Sequence, residues 1–312
     1  MSLVEKALEK LRAGHDADAA KVRARPEPAA EKRTAPGEWR PTVAEPFTAE
    51  QSRRIVKIDE RALRAARVLA PEDEARRASN EFRAIKRELI TEAFSGTDDS
   101  FERRLVVMSS AMPGDGKTHT SINLALSMAQ ERDCSVILID GDVAKPHISE
   151  LLGLTEEPGL IDLLASDDKD VRSVLLATDR PNLWVLPAGR RSEIATELLA
   201  SQRMREVCSQ LAYMLPQAIM LLDSPPILVT SEAVELASLA GQVVLVVKAG
   251  ETPRQAVLDA VARIGDESRV KLVLNQVPTH SGSSYYYGHW LTSGNQSGSG
   301  KPPILRSPAG RE

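Results

Sequence analysis

Short apolar runs at 105–108, 136–139, 183–186, 219–222, 243–247 and 272–274 recur along the chain, and segments of helical spacing separate most of them. Nothing else in the sequence restricts the fold as strongly. Runs that are apolar at nearly every position suit strands buried on both faces, and the helical segments supply the crossovers that parallel strands need. The pattern predicts an α/β domain over residues 71–277, with a mostly parallel sheet flanked by helices. A helix is expected ahead of the first strand, where ARRASNEFRAIKRELITEAF sets Phe82, Ile85, Leu89 and Phe94 on one face.

Directly after the first run, Ala111-Met112-Pro113-Gly114-Asp115-Gly116-Lys117-Thr118 leads into the helical pattern HTSINLALSMAQ. This fits a phosphate-binding loop with Ala in place of the usual first glycine, so the sheet is expected to be of the P-loop nucleoside-triphosphatase type. The chemistry accounts for the residue types. Gly114 and Gly116 let successive backbone N–H groups turn toward phosphates, and the helix N-terminus adds partial positive charge. Lys117 would reach the β- and γ-phosphates of ATP, and the Thr118 hydroxyl would bind Mg²⁺. Pro113, Asp115 and His119 complete the stretch expected to surround the nucleotide. Two further runs end in acids, 136–139 in Asp140-Gly141-Asp142 and 219–222 in Asp223-Ser224-Pro225-Pro226. In open α/β sheets the carboxyl ends of the strands form the ligand-binding edge, which favours metal and proton-transfer roles for these three carboxylates.

The flanking segments read differently. Residues 1–13 have apolar positions at helical spacing and form a short amphipathic helix, marginal unless it docks on something. Residues 14–70 are expected to be a disordered linker, because 14–50 is rich in Ala, Glu, Lys and Arg and is punctuated by Pro26, Pro28, Pro36, Pro41 and Pro46. Residues 278–312 are dominated by Ser, Gly and Pro and are expected to be a flexible tail. That tail holds Tyr285, Tyr286 and Tyr287, three of the four tyrosines in the chain.

Composition removes several classes of function. With 40 basic and 44 acidic residues, the net charge of −4 gives no basic surface for nucleic acid. Cys134 and Cys208, the two cysteines, are too few for a disulfide framework and read as packing residues. The start lacks the apolar core of a signal peptide, and no run approaches the roughly 18 apolar residues that span a bilayer. The chain is expected to be cytoplasmic, peripheral at the inner membrane through a partner.

The linked motifs SSAMPGDGKT, ILIDGDVAKP and IMLLDSPP, with the terminal SSYYYGHW, resemble the bacterial tyrosine kinases of capsule and exopolysaccharide export. MSLVEKALEKLR, EFRAIKRELI and LPAGRRSEIATELLAS are most similar to the exosortase-associated autokinases, in which the kinase is a chain separate from its membrane partner. The resemblance implies an ATP-dependent protein-tyrosine autokinase with Lys117, Asp140, Asp142 and Asp223 as its catalytic set. Thr118, Asp140 and Asp223 would hold the metal, and Asp142 would orient or deprotonate the incoming phenol. Asn275 matches a position that contacts adenine in related ATPases, or is a strand-end turn residue. Tyr285, Tyr286 and Tyr287 would be the phosphoacceptors, modified in trans by a neighbouring copy. Implied partners are a membrane chain-length determinant (Wzz-like) protein as activator, further copies of the chain, and an opposing tyrosine phosphatase.

Two departures stand out. Ala144 occupies the place of an expected arginine, and the family's subunit-packing segment ExxRxxR reads Asn80-Glu81-Phe82-Arg83-Ala84-Ile85-Lys86, where Arg83 alone of the three key residues matches. The competing readings are a MinD- or ParA-like ATPase switch and a nucleotide-dependent adaptor. Those switch ATPases carry an extra lysine early in the loop, where this chain has Met112.

Overall fold

The computed structural model describes residues 47–95, 100–166 and 168–277, all within the second of two units that divide at residues 44 and 45. Eight strands make one sheet: β1 Ile55–Val56, β2 Leu105–Ser110, β3 Ser135–Asp140, β4 Leu176–Thr178, β5 Leu183–Leu186, β6 Ala218–Asp223, β7 Gln242–Lys248 and β8 Val270–Asn275. Their spatial order is β1-β4-β5-β3-β6-β2-β7-β8. Every neighbouring pair is parallel except β4 with β5. The helices are α1 Glu60–Ala65, α2 Ala75–Phe94, α3 Phe101–Arg104, α4 Lys117–Met128, α5 His147–Leu151, α6 Leu160–Leu164, α7 Ala195–Leu199, α8 Gln202–Met214, α9 Ser231–Leu239 and α10 Arg254–Ile264.

All six apolar runs became strands, and their two-residue period divides the core. Along β2, Leu105 and Val107 join Leu163, Met204, Leu211 and Leu236, whereas Val106 and Met108 join Leu63, Leu89, Ile122 and Met128. The first group comes from α6, α8 and α9; the second comes from α1, α2 and α4. A strand covered on both faces has no polar side to alternate with, which is why the runs in β2, β3, β6 and β7 are continuously apolar; in edge strand β8, Leu272 and Leu274 are each 60% exposed.

The boundary of the fold lies earlier than residue 71. Residues 47–70, assigned from composition to the linker, carry β1 and α1 and contribute Phe47, Val56, Ile58, Leu63 and Val68 to the core. Phe47 packs its ring 5.3 Å from that of Trp184. β1 pairs Ile55 with Ala177, and the Ala177 N–H donates to the Ser52 hydroxyl at 3.0 Å. Val56 lies in β1 and Leu63 in α1, while Phe47, Ile58 and Val68 lie in the segments around them, so together they show no period.

Helix α2 forms where expected, but its buried stripe is rotated. Leu89 and Ala93 are buried with Lys86, Phe82 and Ile85 are half-buried, and Phe94 is 39% exposed. Lys86 stands where the subunit-packing segment would have an arginine, yet it points inward. Its ammonium donates to the Ser127 carbonyl at 2.7 Å and pairs with Glu131 at 2.7 Å, at the C-terminal end of α4, where the helix dipole favours a cation. Arg83 and Asn80 remain on the exposed face, 3.4 Å apart between Nη1 and Oδ1.

If residues 47–58 belong to the domain, Phe47→Ala should lower unfolding free energy by about 3 kcal/mol. A urea titration measures this; a loss below about 0.5 kcal/mol, the range of surface substitutions, would place Phe47 outside the core.

Candidate active site

The loop between β2 and α4 is held in shape before any ligand arrives. Gly114 and Gly116 have φ of +88° and +94°, the left-handed region that glycine enters without strain. A Cβ on Gly116 would also collide with the Asn275 amide. Asp115 is buried and bonded on three sides. Its Oδ2 accepts from the Met112 N–H (3.1 Å), its Oδ1 from the Thr252 hydroxyl (2.6 Å), and its carbonyl from Asn275 Nδ2 (2.9 Å). Thr252, after β7, accepts in turn from the Lys248 N–H at 3.0 Å. The last two strands thus latch the loop that follows β2. Asn275 also accepts from the Gln276 N–H through Oδ1 at 2.9 Å, and these two bonds use one of its two amide hydrogens and one of its two oxygen lone pairs.

Beside the loop, three carboxylates converge on one lysine. Asp140 and Asp223 are register partners at the ends of β3 and β6, and Asp142 follows after Gly141. A side chain at Gly141 would crowd Leu222 and the Asp223 carbonyl, so glycine keeps the two acids of this turn close to β6. Lys117 Nζ lies 2.9 Å from Asp142 Oδ2 and 3.7 Å from Asp223 Oδ2. The Thr118 hydroxyl donates to Asp223 Oδ2 at 2.7 Å, and that of Ser121 to Asp223 Oδ1 at 3.0 Å. Asp140 Oδ2 accepts twice from Ser149, from its N–H at 2.8 Å and its hydroxyl at 2.7 Å. Asp140 Oδ1 is buried with no partner.

Burial sets the charge behaviour of the cluster. It pushes Asp140 up to about 7, with the Ser149 bonds opposing and Asp223 and Asp142 adding to the rise. It also raises Asp223, against the pull of Lys117, Thr118 and Ser121. Burial alone would lower Lys117, but Asp223 and Asp142 overcome that and hold the ammonium above its ordinary value.

Thr118, Asp140 and Asp223 offer hard oxygen donors, and the unsatisfied Asp140 Oδ1 fits a site for Mg²⁺ or a water bound to it. Among the described residues no cluster of three or more His, Cys, Asp or Glu could hold a metal by itself. Such an ion would have to share its coordination with phosphate oxygens, as Mg²⁺ commonly does.

The remaining expected residues divide. Pro113 and Gly114 are exposed on the loop. His119 turns aside toward α2, half-buried, its ring 6.4 Å from that of Phe82 and its Nδ1 without a partner; burial lowers its pKa. Tyr285, Tyr286 and Tyr287 lie outside the described residues, as does the amphipathic segment 1–13. Ser121, Ser149 and Thr252 were not foreseen. Each is a single hydroxyl, and only Ser121 had a positional signal, one helical turn after Lys117.

A mostly parallel sheet with a glycine loop opening a helix, and acids at two adjacent strand ends, defines a P-loop nucleotide-binding protein. The AAA domain family profile matches residues 103–271. The tyrosine-protein kinase YwqD of Bacillus subtilis is 30% identical over 177 residues, covering 57% of this chain and 71% of that protein. Tyrosine-protein kinase CpsD of Streptococcus agalactiae is 28% identical, covering 70% of this chain and 91% of its own. Among solved structures, the VpsO kinase domain superposes with a TM-score of 0.56 at 29% identity, covering 67% of this chain and 100% of that one. The chain belongs to the bacterial tyrosine kinase family. It spans only about a fifth of the length of the putative tyrosine-protein kinase EpsB of Ralstonia nicotianae, of which it covers 19%. None of the helices among the described residues is long and apolar enough to cross a membrane.

Asp140 has a folded-state pKa above its ordinary 3.8, so its contribution to stability is lost as pH rises from that value through about 7. Asp140→Asn removes the charge. It should melt several degrees higher than the native chain at about pH 8, with the advantage shrinking as pH falls below 7. A pH-independent difference would trace the gain to packing.

Proposed function

We propose that the chain uses ATP and Mg²⁺ to phosphorylate its own C-terminal tyrosines, Tyr285, Tyr286 and Tyr287, in trans. The observation that carries this reading is the 2.9 Å ion pair between Lys117 and Asp142. A triphosphate entering the loop offers Lys117 stronger anionic partners at the β- and γ-phosphates. Drawing the ammonium onto them releases Asp142 Oδ2 at the moment the phosphate is in place. A free phenol, with a pKa near 10, needs such a base at neutral pH. The phenol oxygen bonds to the γ-phosphorus, the bond from that phosphorus to the β,γ-bridging oxygen breaks, ADP leaves, and the phenolic proton passes to Asp142. Thr118, Asp140 and Asp223 would hold Mg²⁺, which when bound neutralises charge on the phosphates. Lys117 and the loop N–H groups share that task.

The same reading extends to assembly. Exposed Arg83 on α2 is suited to contact another copy, and a membrane chain-length determinant protein would act as activator and hold the chain at the inner membrane. Each modified tyrosine adds about −1.5 to −2 charges, so a phosphorylated tail repels its neighbours until a phosphatase removes the groups. Capsule or exopolysaccharide export is the process this cycle would control.

Incubated with labelled ATP and Mg²⁺, the full chain should incorporate phosphate at 285–287 by mass spectrometry, and Lys117→Met should abolish it. Label confined to Tyr213 or to serines would refute the acceptor assignment. Asp142→Asn should slow transfer to tyrosine by about 10²–10⁴-fold, the usual worth of a general base, and weaken ATP binding far less. Equal losses in both would make Asp142 a nucleotide ligand instead.

A further inference from the structure

Asp140 sits at the end of β3 with its two oxygens in different circumstances. Oδ2 receives both the N–H and the hydroxyl of Ser149, at 2.8 and 2.7 Å, while Oδ1 is buried without a partner. Tilting the carboxylate out of its observed plane would break both bonds to Ser149, inside a pocket where neither donor can turn to water. Ser149 therefore fixes the plane of the Asp140 carboxylate and the direction in which its bare oxygen points.

The direction of the Ser149 hydroxyl is itself fixed from outside. A hydroxyl has one proton, and Ser149 Oγ accepts from the Ala188 N–H at 3.1 Å, which steers the proton toward Asp140. Ala188 is held by the start of α6. Leu160 N–H donates to the Pro187 carbonyl at 2.8 Å, and Ile161 N–H to the Ala188 carbonyl at 3.0 Å. The Asp162 carboxylate secures the same corner, accepting from Gly159 N–H at 3.0 Å, Arg190 N–H at 3.2 Å and Arg190 Nε at 2.8 Å. A continuous path of hydrogen bonds and backbone thus runs from Asp162 through the residues after β5 to Asp140 Oδ2, the oxygen beside the bare one.

We propose that Ser149 is a positioning residue, and that the Ala188–Ser149–Asp140 relay keeps Asp140 Oδ1 free and aimed for the Mg²⁺ that accompanies the nucleotide. This rests on the reading of the site as one for Mg²⁺ and nucleotide, and adds to it a residue outside the phosphate loop and outside the acidic motifs. In metal sites, partners that orient a ligand are typically worth 10–100-fold in affinity or activity. Substituting Ser149 by Ala leaves one N–H on Asp140 Oδ2 and lets the carboxylate turn, so the cost should fall on metal use and not on the grip of the loop on the nucleotide.

The test titrates Mg²⁺ against the full chain at a fixed concentration of a fluorescent ADP analogue. Ser149→Ala should raise the Mg²⁺ concentration for half-maximal enhancement of binding by about ten-fold. Metal-free ADP affinity should stay within about two-fold, and Ser149→Thr, which keeps the hydroxyl, should recover most of the loss. In the kinase assay at sub-saturating Mg²⁺ the same Ala variant should lose rate, and raising Mg²⁺ about ten-fold should restore it. An unchanged Mg²⁺ requirement in Ser149→Ala, while Lys117→Met loses nucleotide, would overturn the positioning role and leave the nucleotide site standing. Failure of Mg²⁺ to affect ADP binding in the native chain would overturn the site reading and this inference with it. If Ala and Thr variants lose stability alike with no change in Mg²⁺ requirement, Ser149 is structural only and the proposal is refuted.

Discussion

The arrangement at the carboxyl edge of the sheet depends on one buried cation. Asp140, Asp142 and Asp223 are withdrawn from water at the ends of β3 and β6, and Lys117 is the ammonium placed among them. Removing one partner from a buried ion pair typically costs about 3–5 kcal/mol, because the other charge is left uncompensated. The lysine that would grip the phosphates therefore also compensates the buried acids around it. In the proposed reaction a triphosphate would draw it from one set of anions to another, so the site would exchange internal pairing for ligand pairing.

The site comes together only when distant parts of the chain do. Lys117, Thr118 and Ser121 come from α4, Asp140 from β3, Ser149 from α5, Asp223 from β6, Thr252 from the loop after β7, and Asn275 from β8. Their neighbours in space are more than a hundred residues away in several cases: the Thr118 to Asp223 bond spans 105 positions and the Asn275 to Asp115 bond 160. Local helix formation cannot build such a pocket early, since loop-closure entropy has to be met first. The carboxyl edge includes Asn275 only because β8 pairs with β7.

Much of this was legible in the sequence, for physical reasons that also explain what was not. A strand buried on both faces must be apolar at each position, so β2, β3, β6 and β7 announced themselves, as did the glycine loop whose chemistry admits few residue types. Strands β1 and β4, of two and three residues, are too short to carry a period. The proline-rich composition of the preceding residues masked Phe47 and Val56, which are core residues without a repeating neighbour. The inward turn of Lys86 follows from the end of α4, a partner forty-one positions away that helix periodicity cannot reveal. Ser149 and Thr252 were invisible because a lone hydroxyl has no spacing rule; its worth depends on which carboxylate faces it.

The contact between Gly116 and Asn275 bears on how such a chain can change over generations. The amide that latches the loop fills the space where a Cβ at position 116 would stand, so a side chain at 116 would require a smaller one at 275. A smaller side chain at 275 would open room at 116 but leave its φ of +94° unfavourable to anything except glycine. Relief is thus available in one direction only: variation at 275 can be explored while 116 stays fixed, and drift in the last strand is the more accessible route by which the grip on the phosphate loop is retuned.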